Sequence, residues 1–380
     1  MTRRAWCISL GLLLTLFAVV MNGAGQPVSH DIRPGYGVSE LRWLSDYHPA
    51  LEGTSGDTPV YILRGDQPGG TLLLLGGTHG NEIAGTMAAT LLIERAEAHM
   101  GTVIVIPHTN NSAAKLNTEY LVDVDGELRS VYPFHESWIS VTSDTGEERD
   151  FRYGSRFTQP EDQGADDPEV YVHPSGFESM GADARNLDRA HPGVSEGTLT
   201  EQISCALFQL ATAEEVDVVI DMHESSPTSP LAHTIICHPR GIDIASFALF
   251  ELEADRIYMK LELSRPEHAG ISHWEFGQKL NAFSFLIETP NPGQDWSFAF
   301  PDLAVNYGSA VDDEDAESSV VDVVTDVQNP LSNRVYEQLA VIQALLANHA
   351  LLEAPGSRIQ LEFPFDLKQL VDSNLGSFLR

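Results

Sequence analysis

The sequence predicts an α/β fold: a mixed, mostly parallel central sheet flanked by helices in three α/β/α layers. Three observations carry that expectation. Between about residues 60 and 240, strand-like and helix-like runs alternate, the order that builds a sheet covered on both faces. The strand-like runs are continuously apolar, LLLL at 72–75, VIVI at 103–106 and VVI at 218–220, whereas a half-solvated sheet would alternate. Each run also closes on glycine, proline or a polar cluster that turns the chain.

In chain order, the first 25 residues read as an export signal. Arg3 and Arg4 give a charged start, Ile8 to Met21 an apolar run, and Gly23, Ala24 and Gly25 small residues for cleavage. The apolar run is shorter than the roughly 20 residues that span a bilayer, so the expectation is an exported protein, periplasmic or extracellular, with no stable membrane anchor after cleavage. Residues 26–54 read as an N-terminal extension, 55–355 as one catalytic domain and 356–380 as a short strand-bearing tail. Within the domain, VYILRG and TLLLLGG are strands, NEIAGTMAATLLIERAEA has apolar residues at helical spacing, and GTVIVIPHTN is a further strand. Residues 112–180, rich in Asp, Gly, Ser and Tyr, read as a long irregular insert. LTEQISCALFQLATA returns to a helical period, VDVVIDMHE, HTIICHP and FSFLIETP are strands, and NRVYEQLAVIQALLANHALL is a closing amphipathic helix. The acidic segment at 311–326 is either a calcium loop or a solvated turn.

Composition narrows the partners. With 42% hydrophobic and 20% charged residues the chain can bury a large core. Its 22 Lys and Arg against 55 Asp and Glu give a net charge of −33, which repels phosphate backbones and anionic lipid, so nucleic acid is not an expected partner. Cys205 and Cys237 remain after signal removal, either as one disulfide or as two unpaired thiols.

The chemistry gathers at strand ends, where open α/β sheets bind ligands. LLLLGGTHGNEIAG places His79 and Glu82 three apart in a glycine-rich strand-to-helix turn. Such a pair can converge on one metal ion, or serve as a helix cap. VDVVIDMHESS delivers Asp221, His223 and Glu224 to the same edge. A second histidine there completes a set of two imidazoles and a carboxylate that leaves a fourth zinc position for water, with Asp221 able to accept from an imidazole. FSFLIETPNPG ends in Glu288, a carboxylate costly to bury without a role and a candidate general base. Glu224 competes for that role, but neighbouring strand residues point to opposite faces. ARNLDRAHPG packs Arg185, Asn186, Asp188 and Arg189 together, either as a salt-bridged loop or as a reader of substrate carboxylate.

In that order, His-Gly-Asn-Glu, the Asx-Leu-Asx-Arg loop, Asp-x-His-Glu and Ile-Glu-Thr-Pro together resemble the zinc carboxypeptidase superfamily, especially the branch holding succinylglutamate desuccinylase and aspartoacylase. The resemblance covers roughly residues 55–350. It implies a zinc-carboxypeptidase-like fold and one zinc ion per chain on His79, Glu82 and His223. It also implies Glu288 as general base and Arg189 with residue 188 as binders of the substrate's terminal carboxylate. Arg156 is the first choice for the arginine that stabilises the oxyanion, ahead of Arg152 and Arg185. The chain departs from the usual Asp-Leu-Asn-Arg-x-Phe-Pro-Gly loop: Asn186 and Asp188 exchange places and His191 replaces the aromatic. An aspartate at 188 would repel a carboxylate and favour an amine or amide. Only 92 residues follow Glu288, closer to a one-domain carboxypeptidase than to the two-domain branch.

The expected function is therefore an exported zinc metallohydrolase of carboxypeptidase type that cleaves an amide bond in a peptide or an acylated amino acid. The alternatives are an N-acyl-amino-acid deacylase and a non-catalytic exported binding protein. A serine hydrolase is disfavoured because no Gly-x-Ser-x-Gly elbow occurs.

Overall fold

In a computed structural model, residues 32–115, 120–122, 128–130, 138–294 and 330–380 are described. The export signal, the acidic segment 311–326 and part of the 112–180 insert lie outside the described residues. Among the described residues, no helix is long and apolar enough to cross a membrane.

The strands are β1 (Glu40–Trp43), β2 (Pro59–Arg64), β3 (Gln67–Gly76), β4 (Glu97–Ile106), β5 (Tyr120–Val122), β6 (Leu128–Ser130), β7 (Trp138–Thr142), β8 (Glu148–Arg152), β9 (Val170–Val172), β10 (Glu178–Met180), β11 (Val218–Ser225), β12 (Thr234–Cys237), β13 (Lys260–Leu263), β14 (Phe283–Pro290) and β15 (Gln360–Glu362). The helices, in chain order, are α1 (Ile83–Arg95), α2 (Leu199–Ala213), α3 (Ile242–Ala254), α4 (Ser272–Leu280) and α5 (Leu331–Leu352). A nine-stranded sheet runs β1-β2-β4-β3-β11-β14-β12-β13, with β15 on the free half of β4. Its centre, β4-β3-β11-β14, is parallel; β1, β2, β12 and β15 join it through antiparallel pairings.

Alternation along each central strand divides the apolar residues between two cores. Leu72, Leu74, Ile220 and Met222 pack with α1, α3 and α5, whereas Leu73, Leu75 and Val219 pack with α2 and α4. Three layers follow, because each face of the sheet must be covered. Helix α2 begins on a capping box in which Thr198 and Glu201 satisfy each other's backbone N–H groups. Helix α1 is buried along almost its whole length and crosses β11 so closely that a Cβ on Gly85 would lie 2.4 Å from the Met222 carbonyl oxygen.

Several expectations are corrected. The sheet begins before residue 55, because β1 pairs with β2. The insert is not irregular throughout: it contains the hairpins β5–β6, β7–β8 and β9–β10. Helix α1 stops at Arg95, and β4 starts at Glu97, because the first half of β4 pairs with distant β15, a partner that local periodicity does not reveal. Of the two readings left open for the cysteines, the structure has Cys205 and Cys237 both as free thiols, and burial pushes the Cys237 pKa up to about 12.

A buried carboxylate ties the outlying segments together. Glu94 at the end of α1 receives the Arg149 guanidinium of β8 in two contacts of 2.6 and 3.0 Å, and also the backbone N–H groups of Arg33 at 2.8 Å and Arg380 at 2.6 Å.

Gly85→Ala tests the close crossing of α1 over β11. Alanine favours helix by up to about 1 kcal/mol, but a methyl group here meets rigid backbone. A net destabilisation of roughly 1–3 kcal/mol is expected in urea unfolding.

Candidate metal centre

Three parallel strand ends build the site. The turn after β3 needs Gly77 at φ +62°, a left-handed conformation that glycine adopts freely, before it presents His79 and Glu82. Strand β11 presents Asp221 and His223 on the α2 and α4 side. Strand β14 lies beside it with Glu288 in register with His223, so that the two side chains stand on the same face.

The imidazoles of His79 and His223 meet edge to face with centroids 4.8 Å apart. Glu82 lies between them: its carboxylate oxygens are 2.7 Å from His79 Nδ1 and 2.9 Å from His223 Nδ1. Two further donors fix that carboxylate, the Glu224 backbone N–H at 3.0 Å and Gln294 Nε2 at 3.1 Å. The outer ring nitrogens are held as well. His79 Nε2 is 2.9 Å from Asn186 Oδ1, and His223 Nε2 is 3.0 Å from Asp221 Oδ2, although this second contact lacks hydrogen-bond alignment. Thr78 Oγ1 donates to the other Asp221 oxygen at 2.8 Å.

This pattern selects a tautomer. Asn186 Nδ2 donates to Asp183, which leaves Oδ1 to accept from His79 Nε2–H and turns the Nδ1 lone pair toward Glu82. A lone pair facing a carboxylate requires a cation between them, either a proton or a metal ion. Asp188 adds a second carboxylate: one of its oxygens and a ring nitrogen from each of His79 and His223 lie within 4.8 Å of one another. Two imidazoles and two carboxylates, all buried, form a donor set that fits a divalent ion such as zinc.

The pKa directions follow from the crowding. Burial opposes charge on His223, but Asp221 and Glu82 outweigh it and hold its pKa well above the ordinary value. Burial and the Arg156 charge lower that of His79. For Asp188, burial works upward, but His223 and Arg189 bring it down to about 2. Burial and the Glu82 charge push Glu288 up to about 8, and its Oε2 has no hydrogen-bond partner among the described residues.

The structure thus brings His79, Glu82, His223, Asp188 and Glu288 together. Arg156 reaches the rim, one third exposed, with Nη1 3.9 Å from Glu82. Arg185 is committed to Asp167 and to the Thr158 carbonyl, and Arg152 acts on buried His108. Arg189 bonds the Asp188 carbonyl at 2.6 Å and is one quarter exposed. Asn186, expected to read substrate, is fully buried behind His79. Glu224 points to the opposite face, where Ala84 N–H, Asn291 and Arg334 surround it. Sequence reading missed Thr78, Gln294 and Arg334. For Arg334 the signal was a charged residue on the apolar stripe of a long helix.

No protein-family model and no curated protein sequence matches the chain. Among solved structures, it is similar to a metallo-carboxypeptidase from Burkholderia cenocepacia (TM-score 0.45, 10% identity, 83% of this chain and 65% of that one). It is also similar to a product-bound cell shape determinant protein from Helicobacter pylori (0.45, 13%, 82% and 59%). An aspartoacylase family protein from Mesorhizobium loti is a third (0.35, 20%, 67% and 63%). The chain spans less than two thirds of the length of each of the three.

Two measurements check the geometry. Asn186→Ala removes the acceptor that orients His79 and is expected to weaken zinc binding roughly 10- to 100-fold in competition with a chelator. In metal-free protein, Glu288 keeps its proton up to about pH 8, whereas the unfolded chain loses it near about pH 4.3. Stability should therefore fall as pH rises between those values, and Glu288→Gln should flatten that fall in urea midpoints recorded across the range.

Proposed function

We propose that this chain is an exported zinc-dependent amidohydrolase of carboxypeptidase type, acting on peptides or acylated amino acids. The observation that carries the reading is the parallel register of His223 with Glu288. It sets a buried carboxylate, one oxygen of which has no hydrogen-bond partner among the described residues, beside the His79, His223 and Asp188 donor group and the Glu82 carboxylate that touches both imidazoles.

A zinc ion held by His79, His223 and Glu82 would supply Lewis acidity toward a carbonyl and lower the pKa of water. Glu288, in the ionised form that a cation bound beside it would favour over the protonated form of the metal-free protein, then takes the proton of the attacking water and returns it to the leaving amine. Arg156, at the rim beside Glu82, turns its guanidinium toward the oxygen on which negative charge develops. Arg189 would use its Nε and Nη2 donors for a substrate carboxylate, since among the described residues it is Nη1 that bonds the Asp188 carbonyl and carboxylate. Asp188 puts a negative charge next to it, so a substrate that carries an amine near its carboxylate is favoured over one with a second acid.

The test is metal content followed by turnover. Protein lacking residues 1–25 is expected to hold about one zinc ion per chain, as a single three-ligand catalytic site requires, and to release amines from a panel of peptides and N-acyl amino acids. The arm that reacts separates peptidase from deacylase. Glu288→Gln should retain zinc and lower kcat roughly 10²- to 10⁴-fold; undiminished turnover would remove Glu288 from the mechanism.

A further inference from the structure

Behind the metal ligands lies a buried ion pair to which the chemistry above gives no role. Glu224 follows His223 on β11, so its side chain passes to the face covered by α1 and α5. There one carboxylate oxygen accepts from the Ala84 N–H in the first turn of α1 at 2.9 Å and from Asn291 Nδ2 at 3.2 Å. The other meets the guanidinium of Arg334 on α5, and both side chains are 1% exposed or less. The Glu224 backbone N–H donates in turn to the Glu82 carboxylate. One helical turn further along α5, Gln338 Nε2 donates to the His223 carbonyl at 2.7 Å and to the Thr289 hydroxyl at 3.2 Å.

We propose that Arg334 and Gln338 are positioning residues for the metal centre. Acting partly through Glu224, they hold the 79–82 turn, the end of β11 and the end of β14 in one relative placement. The proposal rests on the metal-hydrolase reading. Stability alone does not account for the ion pair, because a buried pair is often matched or bettered by apolar side chains of the same volume. What the pair and the amide supply is direction. One helix contacts the carbonyl of ligand His223, the residue after Glu288 and, through one carboxylate, the helix that follows ligand Glu82. A ligand set displaced by a few tenths of an ångström binds its ion less tightly and aims its general base less well.

The test combines Glu224→Gln with Arg334→Met, which removes both charges and keeps the volume, and adds Gln338→Met and Arg334→Lys as single changes. Zinc affinity is read by chelator competition, folding by urea midpoint, and kcat and KM on whichever substrate the wild type cleaves. The double variant is expected to unfold near the wild-type midpoint, bind zinc about tenfold or more weakly and lose kcat with KM unchanged. Arg334→Lys, which keeps the charge, should recover part of the zinc affinity. A folded double variant with unchanged zinc affinity and kcat overturns the positioning role while leaving the hydrolase reading intact. Wild-type protein that binds no zinc overturns both. Should the double variant not fold, Gln338→Met decides: weaker zinc binding supports the proposal, and wild-type affinity sinks it.

Discussion

Successive side chains of a strand point to opposite faces of its sheet, and the end of β11 depends on that alternation more than any other segment. Asp221 and His223 face the site while Met222 and Glu224 face α1 and α5. A slip of one residue would exchange the two sets, burying an imidazole among aliphatic side chains and leaving Met222 where an ion should bind. Register is pinned from both sides, by β3 through Leu72 to Gly76 and by β14 along the whole strand. The chemistry is thus specified by hydrogen bonds of the backbone ladder before any side chain of the site contributes.

Crowding carboxylates and imidazoles into a dry corner is unfavourable unless each polar atom finds a partner. Most do, and the ones that do not are informative. Glu288 Oε2 and His191 Nε2 are buried without a hydrogen-bond partner among the described residues. The Glu288 oxygen lies on the face with the ligands. The His191 ring packs at a tilt against the stacked pair Phe208 and Phe276 and is anchored by its other nitrogen to Ser204. An aromatic residue at 191 would fill that slot equally well, which is why the departure there leaves the packing intact.

Much of this was legible in the sequence for physical reasons. Apolar runs such as 72–75 and 103–106 report full burial directly. The helix Leu199–Ala213 and the strand Phe283–Pro290 were read to the residue, because capping groups and proline punctuate them. His79, Glu82 and His223 stand out because they sit at strand ends with metal-ligand spacing, where open α/β sheets bind ligands, and Glu288 because its carboxylate is costly to bury without a role. What was not legible depends on distant partners. Strand β15 extends β4, the hairpins β7–β8 and β9–β10 lie inside a polar insert, and Asn186 turns back to His79 across 107 positions of sequence. No local period encodes such pairings. The swap of Asn186 and Asp188 was visible as letters, but only geometry shows that the first orients an imidazole and the second joins the donor set.

Glu94 has a further implication for how the molecule opens. Its carboxylate gathers the N-terminal segment, the β8 hairpin and the last residue of the tail onto the final turn of α1, while Glu224 grips the first turn of the same helix. These segments, far apart in sequence, share one acceptor, so local fraying of any of them exposes the same buried charge and loosens the others. In amide exchange they are therefore expected to open as a single cooperative unit, with α1 as its spine, and not as a set of independently breathing loops.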